Sequence, residues 1–275
     1  MARTYPKPGI ATIALRKYDI FSAISIAAKA GFQGIEIWGK PPHTPQPVDW
    51  EYEKAIARNV EENCLQVSMF GSYVNTADDE WKDKAKQNIR ICKILGAPIM
   101  RIWAGNIEPK DADGAYWSET IFRLKELCKM GEDAGIKMGV EMHGGTLTAT
   151  IAGCERLLQE VNHPNLKFNL QFTDFTPTEF FPALPIFGPH IVNIHAQNWR
   201  ITNHNGQQHR EISLIEEGEI DYLEVLTQLA KYNFDGFIEV EFLKGENESE
   251  KILLESLERD ANYLIKICNS VSANS

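Results

Sequence analysis

The chain has 275 residues, 43% hydrophobic and 24% charged, with a formal net charge of −10. A soluble globular protein with a sizeable core fits this balance. The acidic excess argues against sequence-independent nucleic-acid binding and against docking on anionic membranes, and no apolar run is long enough to span a bilayer.

The opening stretch "MARTYPKPGIATIAL" is basic at its start but carries no apolar run long enough for a signal peptide. One pattern then recurs: an amphipathic helix, a Gly or Asn stop, and a short apolar strand. It is written as "SAISIAAKAGFQGIEIWG", "KAKQNIRICKILGAPIMRIWAG", "FRLKELCKMGEDAGIKMGVEMHGG" and "YLEVLTQLAKYNFDGFIEVEF". Apolar residues at helical spacing give each helix one buried face, and the glycine or Asn-Phe-Asp-Gly turn allows the left-handed residue that ends it. Strands are expected at about 8–14, 33–38, 65–70, 98–103, 136–142, 166–171, 190–195 and 236–241. Eight such units in a chain of this length predict one closed (β/α)8 TIM barrel over 1–275, an α/β fold. A doubly wound open sheet is the alternative, but no G-x-G-x-x-G follows the first strand. Segment 196–220, "AQNWRITNHNGQQHREISLIEEGEI", is the longest polar stretch, and is expected as a long loop over the active-site face. The polar tail 269–275 is expected to fray. Cys64, Cys92, Cys128, Cys154 and Cys268 are scattered and lack C-x-x-C spacing, so they are expected as reduced packing residues of a cytoplasmic protein.

In a barrel the C-terminal strand ends carry the site. Those ends present Trp38, Phe70, Trp103, Glu141, His143, Gln171, His195 and Glu241. Aromatics gather on strands two to four and polar groups on strands five to eight. That division suits a small sugar or polyol, with apolar ring faces on one side and hydroxyls on the other. Glu141, Gln171, His195 and Glu241 come from four different strands, and such a set could hold a divalent metal. Mn²⁺, Mg²⁺ or Co²⁺ is favoured by mostly oxygen ligands with one imidazole, and Zn²⁺ is possible. Glu141 and Glu241 would approach a ligand from different sides and could exchange protons at one carbon. Residues two apart in a strand point the same way, so His143 shares the face of Glu141 and could assist proton transfer or bind an oxygen. Gly144 and Gly145 let the backbone turn and leave space for a ligand. Trp199 and Arg200 are further candidate substrate contacts.

These residues carry a resemblance. "AAKAGFQGIEIW", "VEMHGGT" and above all "EEGEIDYLEVLTQLAKYNFDGFIEVE", with Gly218, Asp221, Gly236 and Glu241, resemble the xylose isomerase-like TIM-barrel family of sugar phosphate isomerases and epimerases. The resemblance runs over most of the chain. It implies that Glu141, His195 and Glu241 match the family's metal ligands, and that members commonly pair into oligomers through outer helices or lid loops. At strand six the sequence departs from the family. "LQFTD" puts Gln171 where an Asp is usual and Asp174 where a His is usual. Gln171 can ligate but carries no charge, so weaker metal affinity is expected. Asp174 could reach the metal directly or through water.

Other polar residues have plainer expectations. Glu239, two before Glu241, is expected in a buried ion pair with Arg101, and Glu36, two before Trp38, shares that ambiguity. His163 and His190 precede strands six and seven and are expected to be structural. His43, His204 and His209 are expected in loops above the site, as possible substrate contacts. Together these features predict a metal-dependent isomerase or epimerase of a small sugar or keto-sugar working through an enediolate. The alternatives are a dehydratase of a keto-polyol such as an inosose or dehydroshikimate, and a non-catalytic sugar-binding barrel. A DNA-repair endonuclease of the same superfamily would need a His-rich multinuclear zinc site and a basic face, and the chain offers neither.

Overall fold

The structure is a computed structural model that describes residues 5–204, 207–246 and 248–273; the side chains of 204 and 207 also fall outside the description. In chain order the elements are β1 (Lys7–Ala11), α1 (Ile20–Lys29), β2 (Gly34–Trp38), α2 (Trp50–Glu62), β3 (Gln66–Asn75), α3 (Trp81–Leu95), β4 (Ile99–Trp103), α4 (Gly114–Ala134), β5 (Lys137–Glu141) and α5 (Ile151–Val161). They continue with β6 (Leu166–Leu170), the short helices α6 (Pro177–Phe180) and α7 (Leu184–Phe187), β7 (Ile191–Ala196), β8 (Asn198–His204), β9 (Gln207–Ser213), α8 (Tyr222–Ala230), β10 (Phe237–Val240) and α9 (Glu250–Ala273).

Eight parallel strands close in the order β1-β10-β7-β6-β5-β4-β3-β2, so the predicted (β/α)8 barrel is the observed fold. Local chemistry explains most element ends. The Asp19, Asp49, Asp113, Thr150 and Asp221 side chains accept the first free amides of α1, α2, α4, α5 and α8. Gly96 and Gly135 end α3 and α4 in the left-handed conformation. Strand alternation divides the core. Ile35, Ile37, Met138, Val140, Ile238 and Val240 are buried in the apolar layer, while Glu36, Arg101, Glu141, Asn169, Asn193, His195 and Glu239 are buried polar groups linked to one another across the barrel.

Two expectations change here. Segment 196–220 is not one long loop: β8 and β9 form an antiparallel hairpin inserted between β7 and α8, with Trp199 opposite Ile212 and Ile201 opposite Arg210. The alternation of Trp199 and Ile201 was masked by polar neighbours on the opposite face. Nor does the tail leave the fold at 269, because α9 continues to Ala273 and buries Cys268 and Val271. Of the cysteines, Cys64 is exposed and the other four are buried; all five are free.

Candidate active site

The barrel's polar interior is a continuous chain of hydrogen bonds and ion pairs. Ser68 Oγ donates to Glu239 Oε1 at 2.5 Å, and Asn193 Nδ2 donates to Glu239 Oε2 at 2.7 Å and to Asn169 Oδ1 at 3.1 Å. Asn169 Nδ2 lies 3.0 Å from His195 Nδ1, and His195 Nε2 lies 2.6 Å from Glu36 Oε2. Arg101 Nη1 is 3.8 Å from Glu36 Oε1 and 2.9 Å from Glu141 Oε2. Glycine makes room for this chain: a Cβ on Gly71 would stand 2.3 Å from Glu36 Oε1.

At the C-terminal strand ends, Glu141, His195 and Glu241 each offer a ligand atom, and the three atoms lie within 4.8 Å of one another. His195 Nδ1 faces both carboxylates, 3.3 Å from Glu241 Oε1 and 3.9 Å from Glu141 Oε1. Glu141 Oε2 is buried and no donor is aligned on it for a hydrogen bond, although Arg101 stands close. Two buried carboxylates that turn Glu141 Oε1 and Glu241 Oε1 toward one imidazole nitrogen fit a divalent cation, with Arg101 paired to the other Glu141 oxygen. Gln171 is buried beside them. Its Oε1 has a long 3.4 Å contact with Gln197 Nε2, which also donates to Glu241 Oε2 at 3.0 Å. Glu36, His195 and Glu239 make a second close triad, but the Glu36 and Glu239 carboxylates are occupied by hydrogen bonds from His195, Ser68 and Asn193. This second triad therefore supports the first.

The charges are strongly coupled. Burial pushes the Glu141 carboxyl up, against the pull of Arg101 and His195. Burial would push Glu241 the same way, but the charge and hydrogen bond of His195, aided by Arg101, hold it below the usual carboxylate range. Burial disfavours His195 as a cation; the Glu241 and Glu36 carboxylates outweigh that and hold the imidazole well above its ordinary value. Burial, reinforced by the Glu36 charge, raises Glu239 to about 8.

The aromatic side differs from expectation. Trp38 and Trp103 stand at the site, half-buried. Phe70 does not: it pairs in register with Ile37 and Met100 and lies fully buried in the apolar layer. Its place is taken by Tyr73. The Tyr73 hydroxyl accepts Trp38 Nε1 at 2.8 Å, and its ring stacks on Trp103 at 6.2 Å. Trp103 in turn meets His143 edge-on at 5.2 Å. A register shift between Phe70 and Val74 lengthens β3 and changes which residue reaches the mouth. Nothing in the local sequence marks that shift.

Asp174 is exposed and accepts the Gly144 amide at 2.7 Å, so it ties the loop after β6 to the turn after β5. A Cβ on Gly144 would meet Asp174 Oδ1 at 2.5 Å, which explains the glycine after His143. Trp199 is half-buried under Arg210, whose guanidinium stands 4.5 Å from its ring and donates to Thr173 O. Arg200 is drawn elsewhere: it binds Glu217, which also holds Arg259 of α9. It therefore fastens the hairpin base and does not join the site cluster. His43 is also structural, buried between Thr12 Oγ1 and Tyr18 O. The expected Glu239–Arg101 pair is not formed; Arg101 pairs with Glu141 and Glu36 instead. The side chain of His204 lies outside the described residues.

Sequence reasoning passed over Arg101, Gln197 and Tyr73 as site groups. Arg101 had a signal, since it stands two residues before Trp103 and so shares its face.

The fold has counterparts among solved structures. The chain is 28% identical over 153 residues to a 3-dehydroshikimate dehydratase of Bacillus anthracis, a match covering 54% of this chain and 55% of that one. The chain spans about half the length of the curated relatives it matches. Its fold superposes on the probable 3-DHS dehydratase AsbF of Bacillus anthracis with a TM-score of 0.77 at 21% identity, covering 94% of this chain and 98% of that one. It also superposes on the IOLI protein, solved with a bound zinc atom, with a TM-score of 0.77 at 16% identity, covering 96% and 99%. Residues 24–263 match the xylose isomerase-like TIM barrel family, and the chain belongs to it.

Proposed function

We propose that the protein is a metal-dependent isomerase or epimerase of a small sugar or keto-sugar, working by proton transfer at the carbon beside a carbonyl. The observation that carries this reading is the convergence of Glu141, His195 and Glu241 within 4.8 Å, next to the aromatic group of Trp38, Tyr73 and Trp103. Glu141, His195 and Glu241 would hold the cation, with Gln171 as a neutral fourth donor. A bound divalent cation supplies Lewis-acid polarisation of the substrate carbonyl, which makes the neighbouring C–H acidic. Glu241, 3.3 Å from His195 Nδ1, is placed to take a proton. Glu141, from a different strand, is placed to give one back. His143 positions a substrate oxygen or assists the transfer. The indoles of Trp38 and Trp103, held by Tyr73, cover the substrate's C–H surface, while the Gln171 and Gln197 amides suit its hydroxyls.

A second reading, dehydration of a keto-polyol, is favoured by the similarity to a 3-dehydroshikimate dehydratase. It begins with the same proton abstraction and continues by expelling a β-hydroxyl. Incubating the metal-loaded protein with a panel of keto-sugars and keto-polyols in D2O separates the two. Deuterium entering beside the carbonyl without new ultraviolet absorbance identifies isomerisation or epimerisation. Absorbance from a conjugated enone identifies dehydration. Neither signal, with polyol affinity unchanged by chelation, replaces both with a sugar-binding barrel.

A further inference from the structure

A cleft of about 320 Å³ opens beside Tyr73, between the loop after β2 and the first turns of α3. On α3 its lining comes from Lys84, Gln87, Asn88 and Ile91, positions spaced to share one helical face. Gln46 faces them from the loop, and Val48 and Val74 add apolar surface. Its volume is at the lower end of small-molecule sites, about 300–1,000 Å³.

The lining has a definite chemistry. Lys84 is its one charged residue, and Asp78 neutralises it at 2.8 Å. Within the lining this pair leaves no net charge for a phosphate or carboxylate; Lys40, outside the lining, stands 3.6 Å over the Tyr73 ring. Asn88 Nδ2 is committed to Lys84 O, which leaves its Oδ1 free to accept. Among the described residues, the exposed Gln46 and Gln87 side-chain amides have no hydrogen-bond partner, so they are open to solvent or to a ligand. Amides beside aliphatic side chains match a ring with hydroxyls at its edge and C–H groups on its face. Tyr73 belongs to both places: it lines the cleft, and it holds Trp38 and stacks on Trp103 at the candidate active site.

We infer that this cleft is a second subsite for a neutral polyhydroxy unit joined to the reacting sugar, so that the substrate is a glycoside of a keto-sugar. The inference rests on the sugar reading of the active site, and its test separates the two. ¹⁵N-labelled protein is titrated with fructose and with 6-O-glucosyl-fructose. The Trp38 and Trp103 indole N–H signals report the active site, and the Gln46, Gln87 and Asn88 side-chain amides report the cleft. Both sugars should shift the indoles, and the glucosyl-fructose alone should also shift the cleft amides. It should bind about tenfold more tightly than fructose, and Gln87→Trp, which fills the cleft, should remove that gain while leaving fructose affinity unchanged. Indole shifts with silent cleft amides, or a gain that survives Gln87→Trp, overturn the subsite and leave the sugar reading standing. Silent indoles with both sugars overturn the sugar reading and the subsite with it.

Discussion

Glu36 Oε2 lies 2.6 Å from His195 Nε2, and this contact decides which imidazole nitrogen faces the candidate ligand carboxylates. With Nε2–H held by Glu36, a ring that gives up its second proton carries its lone pair on Nδ1, the atom nearest Glu241 and Glu141, and a ligand there competes with the Asn169 amide 3.0 Å away. A carboxylate behind a ligating histidine fixes its tautomer and raises its basicity. Glu36→Gln removes that charge at nearly constant shape. Metal affinity should fall about 10–100-fold, measured by competition with a chromophoric chelator, while circular dichroism stays unchanged. Long-range ¹H–¹⁵N spectra should show a reduced population of the Nε2–H tautomer. Unchanged affinity would reduce Glu36 to a packing partner.

Glu141 and Glu241 bear directly on metal retention. Wild-type protein incubated with Mn²⁺ or Co²⁺ and desalted should hold close to one ion per chain, and Glu141→Gln and Glu241→Gln should each lose most of it. Elemental analysis reads the result. The two variants should differ in stability. Glu141→Gln leaves buried Arg101 with the weaker 3.8 Å contact to Glu36, so it should unfold more easily, by about 3 kcal/mol as for a broken buried ion pair. Equal retention by all three proteins would remove both residues from the ligand set.

Gln171 gives the opposite experiment. It is buried against Gln197 and places a neutral amide beside two carboxylates. Gln171→Asp adds a third negative charge to a desolvated cluster. The metal-free variant should melt below wild type, because like charges repel in a medium of low polarity. The cation should then stabilise it more than it stabilises wild type, since ligand binding adds stability in proportion to affinity. Differential scanning fluorimetry with and without Mn²⁺ checks both signs. A variant with no enlarged metal-dependent shift would place position 171 outside the coordination sphere.

How much of this was legible beforehand follows from the physics of each signal. Helix periodicity, glycine stops and apolar strands are local, and they place seven of the eight barrel strands within three residues at each end, while β3 runs five residues past its expected end. Closure then brought Glu141, His195 and Glu241 together without any pairwise signal, because strand ends in a barrel converge. Phe70 and Tyr73 show the opposite case. A register shift in β3 depends on how β2 and β4 pair with it, and the sequence around "SMFGSYVN" records none of that. Arg200 resembled a substrate contact by its place after His195, but Glu217 and α9 claim it through contacts distant in sequence. The hairpin leaves no clear sequence signal because its polar face dominates the composition of 196–220.

Outside the site, Glu53 and Asp260 set a pH dependence of stability. Glu53 is fully buried on α2 with neither carboxyl oxygen hydrogen-bonded, and burial, with the Asp49 charge, raises it to about 7. Asp260 on α9 accepts the Ile215 amide through Oδ1 while Oδ2 has no partner; burial raises it too to about 7. In the unfolded chain both ionise near pH 4. The folded state therefore binds more protons between about pH 4 and 7, and stability falls as pH rises through that window. Above it, each group costs about 1–3 kcal/mol, the energy equivalent of a shift of this size discounted for partial solvation. Glu53→Gln and Asp260→Asn should thus raise the urea midpoint most at pH 8.5 and by clearly less at pH 5, where only part of the window has been crossed. Asp260→Asn keeps an acceptor for Ile215, so its gain should not be masked by a lost hydrogen bond. Midpoints that shift equally at both pH values would assign the effect to packing instead of charge.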